Sequence, residues 1–152
     1  MLEDLVQRIR GKRTVILGVG NPLQGDDAVG PSLVDLLHGR VEATLIDGGE
    51  VPENYLSSIK AARPEVVLIV DAVELGAEPG CVAVVDADRL RAIGNFTHNP
   101  GLAFLAVIIQ DATGAEVVLV GIQPAETHFA DKLSKPVEQT LHSLVDTLIK
   151  AL

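Results

Sequence analysis

Three aspartates and one histidine stand where side chains can meet a ligand. Asp27 follows the loop Gly18-Val19-Gly20-Asn21, Asp47 opens the triplet Asp47-Gly48-Gly49, Asp71 ends the apolar run VVLIV, and His98 directly precedes Asn99-Pro100. Carboxylates combined with an imidazole suit a divalent transition metal such as Zn, Ni, Mn or Fe, with coordination positions left open for water or substrate. Such an ion activates water or polarises a peptide carbonyl. Neither HExxH nor CxxC occurs in the chain, so spacing alone does not specify a metal.

Each of these residues also has a purely structural reading. Asp26 and Asp27 suit the first turn of a helix, where acids interact with the dipole. Asp47 beside two glycines suits a turn, and His98 between Thr97 and Asn99 suits a loop. Asp71 leans toward function, because a charge after five apolar residues needs a partner or water.

Other candidate chemistries find less support. The segment GVGNPLQG follows an apolar run as a phosphate-binding turn would, but position 23 is Leu, so the GxGxxG spacing fails. Two acids then sit where a helix N-terminus would have to meet an anion, which favours a cation instead. Cys81 follows Pro79-Gly80 with no base beside it, and is expected to be a buried structural thiol. His38, His128 and His142 are read as peripheral. Of Ser57, Ser58 and Ser143, none occupies a GxSxG elbow.

The elements that must position these residues follow from periodicity. Runs rich in β-branched residues predict strands at 14–19, 41–46, 65–70, 81–85 and 116–121. A helix opening between Asp26 and Pro31 and running to His38 buries Val29, Leu33 and Leu36 before Gly39 stops it. A second is capped by Asn99, takes Pro100 in its first turn, and continues through Leu102, Leu105 and Ile109 to Gly114. The last starts near Ser134, with Val137, Leu141, Leu144 and Leu148 on one side. A weaker helix follows Pro52, and another precedes the first strand.

Parallel neighbours need a crossover of roughly a dozen residues, and the 72–80 connection is too short for one. Strand 81–85 is therefore expected to be antiparallel, at an edge, with the other four parallel and helices on both faces. The expected fold is α/β: a three-layer α/β/α sandwich around a five-stranded, mostly parallel sheet with one antiparallel strand. Open sheets of this kind bind ligands beyond the carboxyl ends of their strands. Asp27, Asp47 and Asp71 fall there, and so does His98 if the helix after it returns toward the start of the last strand.

Composition agrees. The 152 residues fit one domain spanning 1–152, and 47% hydrophobic with only 3% aromatic residues matches a Val/Leu/Ile/Ala core. A net charge of -9 without a basic cluster argues against nucleic acid as a partner. The lone Cys81 excludes an intrachain disulfide, and no membrane-length apolar run or signal-type h-region is seen. A soluble, cytoplasmic, monomeric protein is the expectation.

The ordered series GVGNPLQGDDAVG, IDGGEVPEN, IVDAVELGAEPG, NFTHN and LVGIQP resembles the hydrogenase maturation proteases along nearly the whole chain. DGG followed by PEN, THN around the histidine, and GIQP look like the branch serving formate hydrogenlyase-type hydrogenases. The resemblance implies a phosphorylase/hydrolase-like sandwich. It also implies an endopeptidase that removes a C-terminal extension from a nickel-iron hydrogenase large-subunit precursor once nickel is installed. By the same resemblance the metal ligands and catalytic residues fall on Asp27, Asp71 and His98. Asp47 falls on the family's DGG motif with a role in substrate recognition or active-site organisation, and Asn21, Gly48 and Gly49 join it as substrate-binding positions. Nickel would be presented by the precursor, and other divalent metals can occupy the same ligands. GVGNP also resembles the opening of peptidyl-tRNA hydrolases, but the histidine expected soon after is replaced by QGDDAVG. A noncatalytic nickel chaperone would use the same ligands and leave the precursor uncut.

Overall fold

The computed structural model describes residues 2–93, 100–125 and 130–152. Among them are five strands: β1 Thr14–Val19, β2 Thr44–Gly49, β3 Val66–Ala72, β4 Val82–Asp86 and β5 Glu116–Ile122. The sheet order is β2-β1-β3-β5-β4, with β4 antiparallel to β5 and the other pairs parallel. The short link between β3 and β4 cannot carry a crossover helix, and β4 accordingly returns antiparallel at the edge.

Helices α1 Leu2–Ile9, α2 Val29–Leu37 and α6 Lys135–Ala151 cover one face of the sheet, and α3 Leu56–Ala61, α4 Ala87–Ile93 and α5 Pro100–Thr113 the other. Strand side chains alternate between the two cores, as the pleat requires. On β3, Val66, Leu68 and Val70 join the α1/α2/α6 core, while Val67 and Ile69 join the α3/α4/α5 core. The three-layer α/β/α sandwich with four parallel strands and one antiparallel edge is thus the observed architecture.

Several boundaries differ from the sequence reading. Strand β2 lies at Thr44–Gly49 rather than 41–46, because residues 41–43 bend after α2 and the strand is set by pairing with β1. Its pairing carries Asp47 opposite Gly18 and Gly49 opposite Val19, with the register shifting between them, so the DGG triplet is strand rather than turn. Strand β3 continues to Ala72, which places Asp71 inside the strand opposite Gly121. Helix α4 was not anticipated. It is opened by Asp86, whose Oδ1 accepts the Arg89 N–H at 2.9 Å in the manner of an N-cap. The 26–38 helix is divided into a 3₁₀ turn at Gly25–Ala28 and α2 proper. Helix α5 starts at Pro100. Its expected cap, Asn99, lies outside the described residues.

Candidate active site

The strand order reverses direction between β2-β1 and β3-β5, so β1 and β3 flank the crevice where connections diverge. The start of α2 is wedged into that crevice. A Cβ on Gly30 would lie 2.5 Å from both the Val19 and the Val70 carbonyl oxygens, a distance that only glycine permits. The 20–28 segment therefore has to fold back over the strand ends. Gly20 makes the reversal at φ 141°, where a Cβ would lie 1.8 Å from the Asp27 carbonyl oxygen. The Gly20 N–H donates to the Gly49 carbonyl at 2.8 Å, joining this loop to the end of β2.

Asp27 is half-buried, and its Oδ2 accepts the Asn21 N–H at 2.7 Å. The Asn21 side chain is itself held, its Oδ1 accepting the Leu23 N–H at 2.9 Å and its Nδ2 donating to Glu50 Oε1 at 3.3 Å. Asp71 is only 5% exposed at the end of β3. Burial first, and the neighbouring Asp27 carboxylate second, push its carboxyl up to about 8, while the N–H of Ala72 works in the opposite direction. Two carboxylates, one from the 3₁₀ turn after β1 and one from β3, are thus brought close enough to repel each other in a poorly solvated place. A cation between them would relieve both the burial and the repulsion.

Asp47 stands apart. It is exposed, and its Oδ1 accepts the Gly49 N–H at 3.1 Å, a local loop contact. Gly48 is buried, with room for no Cβ beside Leu17 and Pro52, and Gly49 has φ 55°. His98 lies outside the described residues, as does His128. Among the described residues no group of three or more His, Cys, Asp or Glu is arranged to hold a metal ion. His38 and His142 are exposed, the latter 3.8 Å from Glu138. Cys81 is exposed rather than buried, because it precedes the edge strand β4 instead of entering it.

Two residues important to the site's framework have roles that spacing does not reveal. Asp26 is fully buried and accepts the Ser134 N–H at 2.7 Å, the Ser134 hydroxyl at 2.8 Å and the Ala125 N–H at 2.8 Å. It stands in the first turn of the 3₁₀ helix, as expected, and its side chain ties that turn to the start of α6. Gln123, within the LVGIQP segment, is 4% exposed; its Oε1 accepts from Leu75 and Ala77, and its Nε2 donates to Glu74 and to the Pro124 carbonyl. It fixes the loop that leaves Asp71.

Fold and centre together define an α/β/α protein with paired, mutually repelling carboxylates at the carboxyl edge of a parallel sheet. Comparison with known proteins then narrows the class. Residues 7–151 match the family described as hydrogenase maturation protease. The chain is 34% identical over 137 residues to the hydrogenase 3 maturation protease of Escherichia coli K12, covering 88% of this chain and 87% of that one. Its fold superposes on the crystal structure of a NiFe hydrogenase maturation protease from Thermococcus kodakarensis with TM-score 0.87 and 32% identity, covering 98% of each chain. A hydrogenase 2 maturation peptidase from a Thaumarchaeota archaeon gives TM-score 0.67 at 29% identity, covering 92% of this chain and 97% of that one. The chain belongs to the hydrogenase maturation protease family. It is a peptide-bond hydrolase, an endopeptidase that processes a hydrogenase large-subunit precursor. Among the described residues no helix is long and apolar enough to cross a membrane.

Proposed function

We propose that this endopeptidase removes the C-terminal extension of a nickel-iron hydrogenase large-subunit precursor after nickel insertion, and that Asp27, Asp71 and His98 contact the nickel the precursor carries. The observation that carries the reading is the Asp27–Asp71 pair, in which burial and then the neighbouring Asp27 carboxylate push the Asp71 carboxyl up to about 8. A divalent ion delivered by the substrate supplies a positive partner. Nickel would then be part of the substrate, held by Asp27, Asp71 and His98, where a divalent ion would supply polarisation of the scissile carbonyl or of a water. Other divalent metals fit the same oxygen and imidazole donors.

The remaining assignments follow from position. Asn21 orients Asp27 through its backbone N–H, while Gly48 and Gly49 let the β2 end approach the loop. Asp47, exposed on the same edge, is free to meet the precursor. The reaction takes place in the cytoplasm, with the enzyme acting as a monomer and without nucleic acid.

Intact-mass analysis of the chain incubated with its cognate precursor, with and without inserted nickel, tests the reading. Loss of a C-terminal peptide from the nickel-loaded form alone is expected. A nickel-loaded precursor that stays whole would leave only a binding role, whereas equal cleavage of both forms would remove nickel from the mechanism.

A further inference from the structure

Helix α5, PGLAFLAVIIQDAT, holds more apolar residues than one buried face can use. Leu102, Leu105 and Ile109 are buried in the α3/α4/α5 core. Phe104 and Ile108, one turn apart, form a second ridge, and Phe104 is 67% exposed. Between this ridge and the 3₁₀ turn Pro52–Tyr55 lies a groove of about 460 Å³. Its walls include Val19, Leu102, Leu105 and Phe104, and two carboxylates, Glu50 and Glu53, also line it.

The groove is continuous with the candidate centre. Val19 is the last residue of β1, and Glu50 accepts a hydrogen bond from Asn21, whose backbone N–H holds Asp27. Alternation along β3 places Asp71 on the same side of the sheet as Val67, Ile69 and Val73, which pack into the α3/α4/α5 core. A partner seated here therefore reaches the paired acids without crossing the sheet. Among the described residues no basic side chain lines the groove, so its apolar walls and acidic members call for a ligand that is apolar and cationic at once.

We propose that this groove binds the segment of the precursor next to the scissile bond, burying one of its apolar side chains against Phe104 while a neighbouring cationic side chain meets Glu50 and Glu53. The inference rests on the proposed cleavage of the precursor and names the surface that selects it. The apolar contact supplies most of the affinity, as buried aromatic anchors generally do. The acids contribute mainly to encounter rate and therefore to salt dependence.

The test compares wild type, Phe104→Asp and the Glu50→Gln/Glu53→Gln double variant on the nickel-loaded precursor. Cleavage is followed by intact mass, affinity by titration, and folding by thermal melts. Phe104→Asp is expected to raise KM and the dissociation constant about tenfold at an unchanged melting temperature, with a much smaller fall in kcat. The double variant is expected to lose most of the salt dependence of KM. An unaltered KM in Phe104→Asp overturns the groove, and an unaltered salt dependence in the double variant overturns its cationic half. If wild type leaves the precursor uncut, the cleavage reading fails by itself, and the titration still decides the groove. Self-association of the wild-type chain that Phe104→Asp abolishes would assign the face to a second copy and overturn the proposal.

Discussion

Asp26 and Asp27 are adjacent in sequence and opposite in circumstance. Asp26 is fully buried yet accepts three hydrogen bonds from Ser134 and Ala125. Asp27 accepts one backbone N–H and otherwise faces Asp71, a second acid. A buried carboxylate surrounded by donors is a structural tie. A carboxylate set against another carboxylate in a poorly solvated place calls for a cation between them. Burial alone would have ranked Asp26 first, and the partners reverse that ranking.

That contrast can be broken by substitution. The largest effect is expected from Asp71→Asn, which keeps shape but removes the charge a cation would meet: cleavage of the nickel-loaded precursor should fall on the order of 100-fold or more. Because the amide carries no charge in the buried position at any pH, urea unfolding should show stability equal to wild type at neutral pH and above it near pH 8. A variant cleaving at the wild-type rate would remove Asp71 from the site.

Asp26→Asn should behave in the opposite way. An amide cannot accept from all three donors, so at least one buried N–H loses its partner, and stability should drop by about 3 kcal/mol in chemical denaturation. Ser134→Ala, which spares both backbone donors, should cost about 1 kcal/mol. Either variant, measured below its melting transition, should keep most of its cleavage activity; a loss matching that of Asp71→Asn would erase the distinction between tie and site.

The smallest and most diagnostic effect concerns pH. With the Asp71 carboxyl raised from 3.8 to about 8 in the folded protein, the native state holds a proton that the unfolded chain has released throughout that interval. Its contribution to stability is therefore greatest below pH 3.8 and declines as pH rises toward 8. Subtracting the pH profile of Asp71→Asn from that of wild type should isolate this decline. Adding a divalent metal should raise the melting temperature more at pH 8 than at pH 5, since the ion must displace the proton; equal shifts would argue against Asp71 as a ligand.

The same contrast shows what sequence can and cannot reveal. Strands β1 and β5 begin where their β-branched runs begin, and the antiparallel edge follows from a connection too short to cross over. The position of β2 was misplaced by three residues at its start, because pairing with β1 outweighed the local run beginning at Val41. Helix α4 is short and was overlooked, though Asp86 three residues ahead of Arg89 is a capping signal. The two acids beside each other in GDDAVG were visible, but their division of labour was not. It depends on donors 99 and 108 residues away, which no local pattern reports. Cys81 is exposed for a simpler reason: β4 starts one residue later than its apolar run suggests, which leaves the thiol outside the strand.

The contact at Gly30 has a mechanical consequence. Because the first turn of α2 rests directly on the carbonyls of Val19 and Val70, neither β1 nor β3 can shift at its end without displacing the helix and the α1/α2/α6 core into which it packs. The spacing between Asp27 and Asp71 is consequently fixed by packed main chain rather than by flexible side chains. A centre built this way works as a calliper: it does not close around what it is offered, and an object of the wrong size or charge simply fails to register.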